Sequence, residues 1–257
     1  MTTAQLAEAP ALASTSTTSA YLYSDAPTRA GYPNRWTLLT NAGYESAYDE
    51  TFRNPAWVAY HLHGTAGTSA PRQNGYTTDL RTVAKVAQTD YPHGYDHGHM
   101  APNEAIAEFY GDAAQAETFL MTNMLPQRHG LNAGPWKSEE TMEYAKWEPE
   151  FHDVWVIDGP VYTTADGQAL VPTDRYGAKQ VGIPVACFKI VMTKRSGGQI
   201  QTLAFIMPQE PGPGHAAREY LTSIREIERR TGLNFFSSLP KAKQDALETG
   251  TARAVWP

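Results

Sequence analysis

The chain alternates between stretches of period-two and of helical hydrophobic patterning. "RWTLLTNAGYESAYDE" reads as a strand followed by a turn. In "NPAWVAYHLHG", Trp57, Ala59 and His61 fall on one face and Val58, Tyr60 and Leu62 on the other, which predicts a strand paired antiparallel with the one before it. Gly64 to Gly75 is a polar loop, and "TTDLRTVAKVAQTDY" is either a short helix or a covering loop. Next, "PNEAIAEFYG" predicts a short helix closed by Gly111, and "ETFLMTNMLPQ" a strand ending in a polar turn. "GPWKSEETMEYAKWEPE" predicts a helix stopped near Pro149. "HDVWVIDGPVY", "IPVACFKIVMT" and "IQTLAFIMP" predict three further strands. Within "GHAAREYLTSIREIERRTG", Tyr220, Leu221, Ile224 and Ile227 share a helical face and Gly232 supplies the stop. "LPKAKQDALE" forms a last short helix.

Strands and helices mix here without regular βαβ alternation. The pattern predicts an α+β fold, with a mostly antiparallel central sheet flanked by helices. Residues 1–30 are rich in Ala, Ser and Thr and poor in large apolar side chains, so they read as a disordered leader before one domain over 31–257. That leader lacks the basic start and apolar stretch of a secretory signal, although "APALAST" is like the small-residue end of one. No apolar run approaches the roughly 20 residues that span a bilayer, so no membrane partner is expected. The net charge of -6 argues against a broadly basic coat for nucleic acid and leaves room for a local basic cleft. Cys187 is the single cysteine, which excludes an intrachain disulfide; its apolar neighbours make it a core residue.

Candidate chemistry gathers in "YPHGYDHGHMAP", where His93, His97 and His99 fall within seven residues. Three readings compete. A histidine-rich loop can be solvated and idle. Zinc would want three or four N or S ligands, and His97 and His99 share a face if the segment is a strand, with His93 as a third. The third reading looks downstream: "TNMLPQ" holds Asn123 and Gln127, and "LNAGPWKSEE" places Asn132 before a helix with Glu140 about two turns on. An imidazole, carboxamides and a carboxylate form an oxygen-rich set without sulfur, which suits a hard ion such as Mg²⁺. A neutral imidazole beside such an ion can take a proton from water.

"DHGHMAP" followed by "TNMLPQRHGLNAGPWKSEE" resembles the signature of the DNA/RNA non-specific endonucleases, of the ββα-metal or His-Me finger superfamily. The likeness runs from about Trp36 to Leu247 and includes "NPAWVAYHL", "VWVIDGPVY" and "IREIERRTGLNFFSSLP". It implies a ββα-metal finger and an Mg²⁺-dependent hydrolase of DNA and RNA, with Mn²⁺ able to substitute and 5′-phosphate products. By the same resemblance His99 is the general base, Asn132 the direct metal ligand and Glu140 a holder of metal-bound water. Asn123 positions His99 or the phosphate, Asp96 fixes the local geometry, and Arg72 reaches the phosphate. Gln127 is a candidate for substrate contact or for structure, and Trp136 for packing. A homodimer and an inhibitor protein stand as candidate partners, and a secreted or periplasmic setting is expected because a free nuclease harms its own cytoplasm. Rival readings are a nucleic-acid-binding homologue with weakened catalysis and the zinc hydrolase of His93, His97 and His99.

Two positions depart from the family pattern. His97 replaces the signature arginine, and Tyr144 stands where an arginine often follows the glutamate, with Lys137 or Lys146 as partial replacements. Arginine stays charged and grips phosphate with two donors, whereas histidine is charged mainly below about 6.5. Nuclease activity is therefore expected to be slower, or to peak on the acid side, compared with His97→Arg. Steady-state rates across pH check this, and identical rates and profiles in both proteins would refute it.

Overall fold

Side-chain alternation organises the chain around one sheet. The computed structural model describes residues 19–64, 71–162, 174–176, 179–214 and 216–257. In chain order the strands are β1 (Thr28–Arg29), β2 (Thr37–Thr40), β3 (Glu45–Asp49) and β4 (Asn54–Leu62). The hairpin strands β5 (Asp96–His99) and β6 (Met124–Gln127) follow. Then come β7 (Val154–Val161), β8 (Asp174–Tyr176), β9 (Val181–Ile183), β10 (Ala186–Lys194), β11 (Ile200–Pro208) and β12 (Leu233–Asn234). Six of them form an antiparallel sheet in the order β11-β10-β7-β4-β3-β2. The hairpin β5-β6 stands apart from it as a separate two-stranded ladder.

Helices cover both faces of the sheet. The helices are α1 (Asn103–Tyr110), α2 (Asp112–Glu117), a helical stretch α3 over 129–151, α4 (Ile224–Thr231) and α5 (Lys241–Glu248). On one face Val58, Tyr60 and Leu62 of β4 and Cys187 and Val191 of β10 pack with Ile106, Leu131, Trp136 and Trp147. On the other, Trp57 and Ala59 of β4 and Phe188 and Ile190 of β10 meet Ile224, Ile227, Phe235 and Phe236. Period-two alternation therefore loads both faces, which is why β4 is buried along its whole length.

Several expectations need correction. "ESAYD" is a strand of its own, β3, and not merely the end of a turn. The segment 77–91 is a loop with one short 3₁₀ turn at Gln88–Asp90 and not a helix of the expected length. Helix α2 precedes β6, so only Met124–Gln127 of the expected strand is extended. Helix α3 does stop near Pro149, two residues on at Phe151, with His152 in the left-handed region. A wide π-turn at Glu143–Trp147 ends two residues before Pro149, and the proline sits in the first turn of the segment after it, where its missing N–H is tolerated. Helix α4 begins only at Ile224, because the Ser223 hydroxyl caps it by accepting the Glu226 N–H at 3.1 Å. Tyr220 ends a 3₁₀ turn and Leu221 bridges to Phe205. His215, residues 65–70 of the polar loop and residues 1–18 of the expected leader lie outside the described residues. Over 19–30 the leader reading is overturned: Leu22 is buried, Asp25 bonds Ser238, and β1 pairs with β12.

One charge sits in the core. Lys189 of β10 is 0% exposed, and its ammonium lies 2.9 Å from Glu143 and 3.0 Å from Asp158. It also donates to the Tyr60 hydroxyl at 3.1 Å and lies 4.5 Å from the centre of the Trp136 ring. Glu143 in turn accepts from Tyr60 at 2.5 Å. These contacts join three central strands to α3. Coulombic attraction to Glu143 and Asp158 outweighs the burial that would strip the Lys189 proton, and holds it charged. Lys189→Met leaves buried carboxylates without their cation and should lower unfolding free energy by about 3–5 kcal/mol. Urea denaturation followed by circular dichroism checks this; an unchanged midpoint would show that the carboxylates carry no net charge.

Candidate active site

The hairpin β5-β6 and the start of α3 enclose a cavity of about 380 Å³. Arg72, Asp96, His97, His99, Asn132 and Glu140 all line it. Residues distant in the chain thus meet because β5 pairs with β6 and the chain turns directly from β6 into α3. Gly98 leaves room for the buried Gln127 side chain, since a Cβ there would stand 2.1 Å from Gln127 Oε1. Asn123 fixes the residues after His99. Its carboxamide accepts the Ala101 N–H at 2.8 Å and donates to the carbonyls of Ala101 and Thr118 at 2.9 and 3.0 Å. Its own carbonyl accepts the Met100 N–H at 3.0 Å. Asn123 is wholly buried and does not line the cavity, so it braces His99 from behind.

His99 is 8% exposed, and its Nε2 is buried with no hydrogen-bond partner. A hydrogen bond to the His97 backbone engages the ring from the other side. Burial first, then the Arg72 guanidinium and the repulsion His97 would add if protonated, push its pKa down to about 3. The imidazole is therefore neutral at ordinary pH, with a free lone pair in the cavity. Phe119 packs edge-on against it at 5.2 Å and also lies 5.6 Å from the Arg72 guanidinium.

Asn132 begins a wide π-turn at the head of α3. Its Nδ2 donates to Asp96 Oδ2 at 3.0 Å, and the same carboxylate oxygen contacts His129 Nδ1 at 2.8 Å. A carboxylate only accepts, so the amide presents its nitrogen to Asp96 and its oxygen elsewhere. Trp136 ties helix to hairpin: its indole N–H donates to the His99 carbonyl at 3.2 Å and also favours the Glu140 carboxylate. Glu140 Oε1 is buried with no partner. Burial is the main cause that pushes the Glu140 pKa up to about 8; Lys189 opposes it, and Glu143 and Asp158 add to it.

Three expectations change here. Gln127 is fully buried beneath Gly98, with its Nε2 3.4 Å from Cys187 Sγ, and it packs under the hairpin without lining the cavity. His97 is stacked between Tyr76 and Tyr91, at 4.3 and 4.4 Å between ring centres. Its Nε2 is buried without a partner, and burial lowers its proton affinity, so it offers no free charged fork to a phosphate. Lys137 lines the cavity and Lys146 does not, so only the first can stand in for a missing arginine. Tyr144 also lines it, with its hydroxyl donating to Glu104 at 3.3 Å. Among the described residues no three His, Cys, Asp or Glu side chains come together to hold a metal. This removes the zinc reading of His93, His97 and His99.

A model of the DNA/RNA non-specific endonuclease family matches residues 28–242. The chain belongs to that family. Nuclease EXOG, mitochondrial, of Danio rerio is 33% identical over 214 residues, covering 79% of this chain and 62% of that protein. Endonuclease G, mitochondrial, of Bos taurus is 29% identical over 231 residues, covering 86% and 76%. A solved EndoG/EndoGI complex superposes with a TM-score of 0.71 at 24% identity, over 82% of this chain and 90% of that one, which shows a shared fold. The chain spans only 62, 57 and 55% of the EXOG proteins of Danio rerio, Xenopus laevis and Homo sapiens. These animal relatives are named as mitochondrial, which overturns the expectation of a secreted or periplasmic protein.

Sequence reasoning passed over Lys189, Glu143 and Asp158 behind this family's helix, and the two tyrosines around His97. A lysine inside "ACFKIVM" was the visible signal for the first group, since a charge amid an apolar strand needs buried partners. The neutral state of His99 can be read directly. In an NMR titration its ring protons should show no step as pH falls through about 6.5, the ordinary imidazole value, and should shift only well below it. A midpoint at or above that value would mean that the ring is solvated.

Proposed function

We propose that this protein is a metal-dependent endonuclease that hydrolyses phosphodiester bonds of DNA and RNA. One observation carries the reading: a neutral, unpartnered imidazole, an oriented carboxamide and an orphaned carboxylate oxygen line one cavity. Family membership supports it independently.

The donors fit a hard divalent cation. They are oxygens, and the buried, unpartnered Glu140 Oε1 is an atom that a hydrated ion would satisfy. Asn132 Oδ1 would ligate Mg²⁺, or Mn²⁺ in its place, and Glu140 would hold one of its waters. The ion would supply neutralisation of the charge that builds on the phosphate oxygens. His99 Nε2 accepts the proton of the attacking water, its other nitrogen side being held by the backbone. Asn123 and Trp136 keep that ring aimed, and Asp96 keeps the Asn132 amide turned. Arg72 and Lys137, both on the cavity wall, steady the phosphate. Attack by water at phosphorus with loss of the 3′ oxygen leaves 5′-phosphate ends. Contacts limited to phosphate and sugar carry no base information, so cleavage is not sequence-specific. A solved relative is described as an inhibited EndoG/EndoGI complex, and we extend to this chain a protein inhibitor that covers the cavity. For its compartment we take the organellar setting in the animal relatives' names.

Plasmid DNA and RNA should be cut by the wild type with Mg²⁺ and spared with EDTA. His99→Ala should lose at least about a hundredfold of that rate. Cleavage that persists in EDTA, or in His99→Ala at the wild-type rate, would overturn the proposal. Binding without cleavage in the wild type would instead favour the weakened homologue suggested by His97 and Tyr144.

A further inference from the structure

Tyr95 and Arg128 stand one residue beyond the last paired rung of the hairpin, Asp96 with Gln127. Tyr95 lines the catalytic cavity and also a second, more open hollow of about 360 Å³ that Arg128, Pro184, Gln209 and Glu210 help to wall. Both hollows therefore adjoin the same tyrosine side chain.

Arg128 is held in place from several sides. Its guanidinium lies 4.2 Å from the centre of the Tyr95 ring, and Nη1 donates to the Gly94 carbonyl at 3.2 Å. Gly94 has a φ of +78°, and a Cβ there would come within 3.3 Å of Nη1. The Arg128 backbone N–H donates to Gln209 Oε1 at 2.7 Å, while Gln209 Nε2 donates to the carbonyls of Pro126 and Pro184 at 2.7 and 3.1 Å. Its carboxylate neighbour, Glu210, is 3.8 Å away and 82% exposed, a pair too solvated to neutralise it. A guanidinium fixed over an aromatic ring, with donors to spare, matches a backbone phosphate, and tyrosine is a stacking surface for a base.

We propose that Tyr95 and Arg128 form a subsite for a nucleotide beyond the scissile position. Arg128 takes a backbone phosphate; Tyr95 holds the guanidinium and lies against the adjoining base. The subsite rests on the nuclease reading and supplies a cationic contact that His97, stacked between its tyrosines, does not. Tyr95 lies four residue steps from His99 along the strand, or roughly 13 Å at about 3.3 Å per step. That exceeds the roughly 3.4 Å rise between neighbouring stacked bases several times over. A substrate longer than a dinucleotide is needed to occupy both His99 and Arg128.

The test compares a dinucleotide phosphodiester with a 12-nucleotide single strand. Kinetics with Mg²⁺ run beside fluorescence anisotropy of the 12-mer in EDTA across a salt series, with melting curves to confirm folding. Arg128→Ala should raise KM for the 12-mer by about five- to tenfold with little change in kcat, and leave the dinucleotide unaffected. In EDTA it should weaken binding similarly and lower the slope of log K against log salt by about one. Tyr95→Phe should retain 12-mer affinity, and Tyr95→Ala should lose about tenfold of it. Equal effects of Arg128→Ala on both substrates, or an unchanged KM and salt slope for the 12-mer, would overturn the subsite. A wild type that binds without cleaving would sink the nuclease reading alone, since the binding arm still reads the subsite. A wild type that does not bind the 12-mer would sink both.

Discussion

Asp96 accepts a hydrogen bond from the Asn132 carboxamide at 3.0 Å, and that contact joins the hairpin to the helix. Because a carboxylate has no proton to give, it dictates which end of the amide faces the cavity. It works together with the Trp136 indole, whose N–H reaches the His99 carbonyl from the first turns of α3. Two hydrogen bonds therefore set the separation of His99 on β5 from Asn132 and Glu140 on α3. The hairpin cannot drift from the helix without breaking both, and Gly98 lets Gln127 fill the space beneath.

Behind this joint lies a concentration of buried carboxylates. Glu139, Glu140 and Asp158 all have pKa values pushed up, the first two to about 8 and the third to about 7, chiefly by burial. Lys189 is the cation that makes their burial tolerable, and its place between Asp158 on β7 and Glu143 on α3 clamps the helix to the sheet. A well-packed apolar core would stabilise the fold at lower desolvation cost. The arrangement instead keeps a carboxylate oxygen of Glu140 unpartnered at the cavity, where an added cation would relieve both its desolvation and its repulsion from Glu143 and Asp158.

His97 shows how a substitution within a motif changes the surroundings and not only the letter. The imidazole is flanked by two nearly parallel tyrosine rings, at 15° and 10° to it. Stacking suits a neutral ring, and burial favours the neutral form, so the position contributes rigidity in place of charge. The positive charges that line the two hollows are those of Arg72, Lys137 and Arg128, and they are not concentrated on β5.

Much of the fold was legible as a string of residues. The alternation in "NPAWVAYHL", "VWVIDGPVY" and "ACFKIVMT" set the strands and their two faces, because period two places neighbours on opposite sides whatever they pack against. Gly111 and Gly232 ended their helices as read, since only glycine enters the left-handed region without strain. His99, Asn132, Glu140 and Arg72 were legible as a set because the combined motif is long and specific. Three things were decided only by the tertiary structure. The first is that these residues share a cavity, which depends on a hairpin register and a helix start that no local pattern encodes. The second is the fate of Gln127 and His97, whose side chains are polar in the sequence and buried in the fold. The third is the protonation of His99 and Glu140, because desolvation is a property of what surrounds a group, and those surroundings are assembled from segments as far apart as β4 and β10.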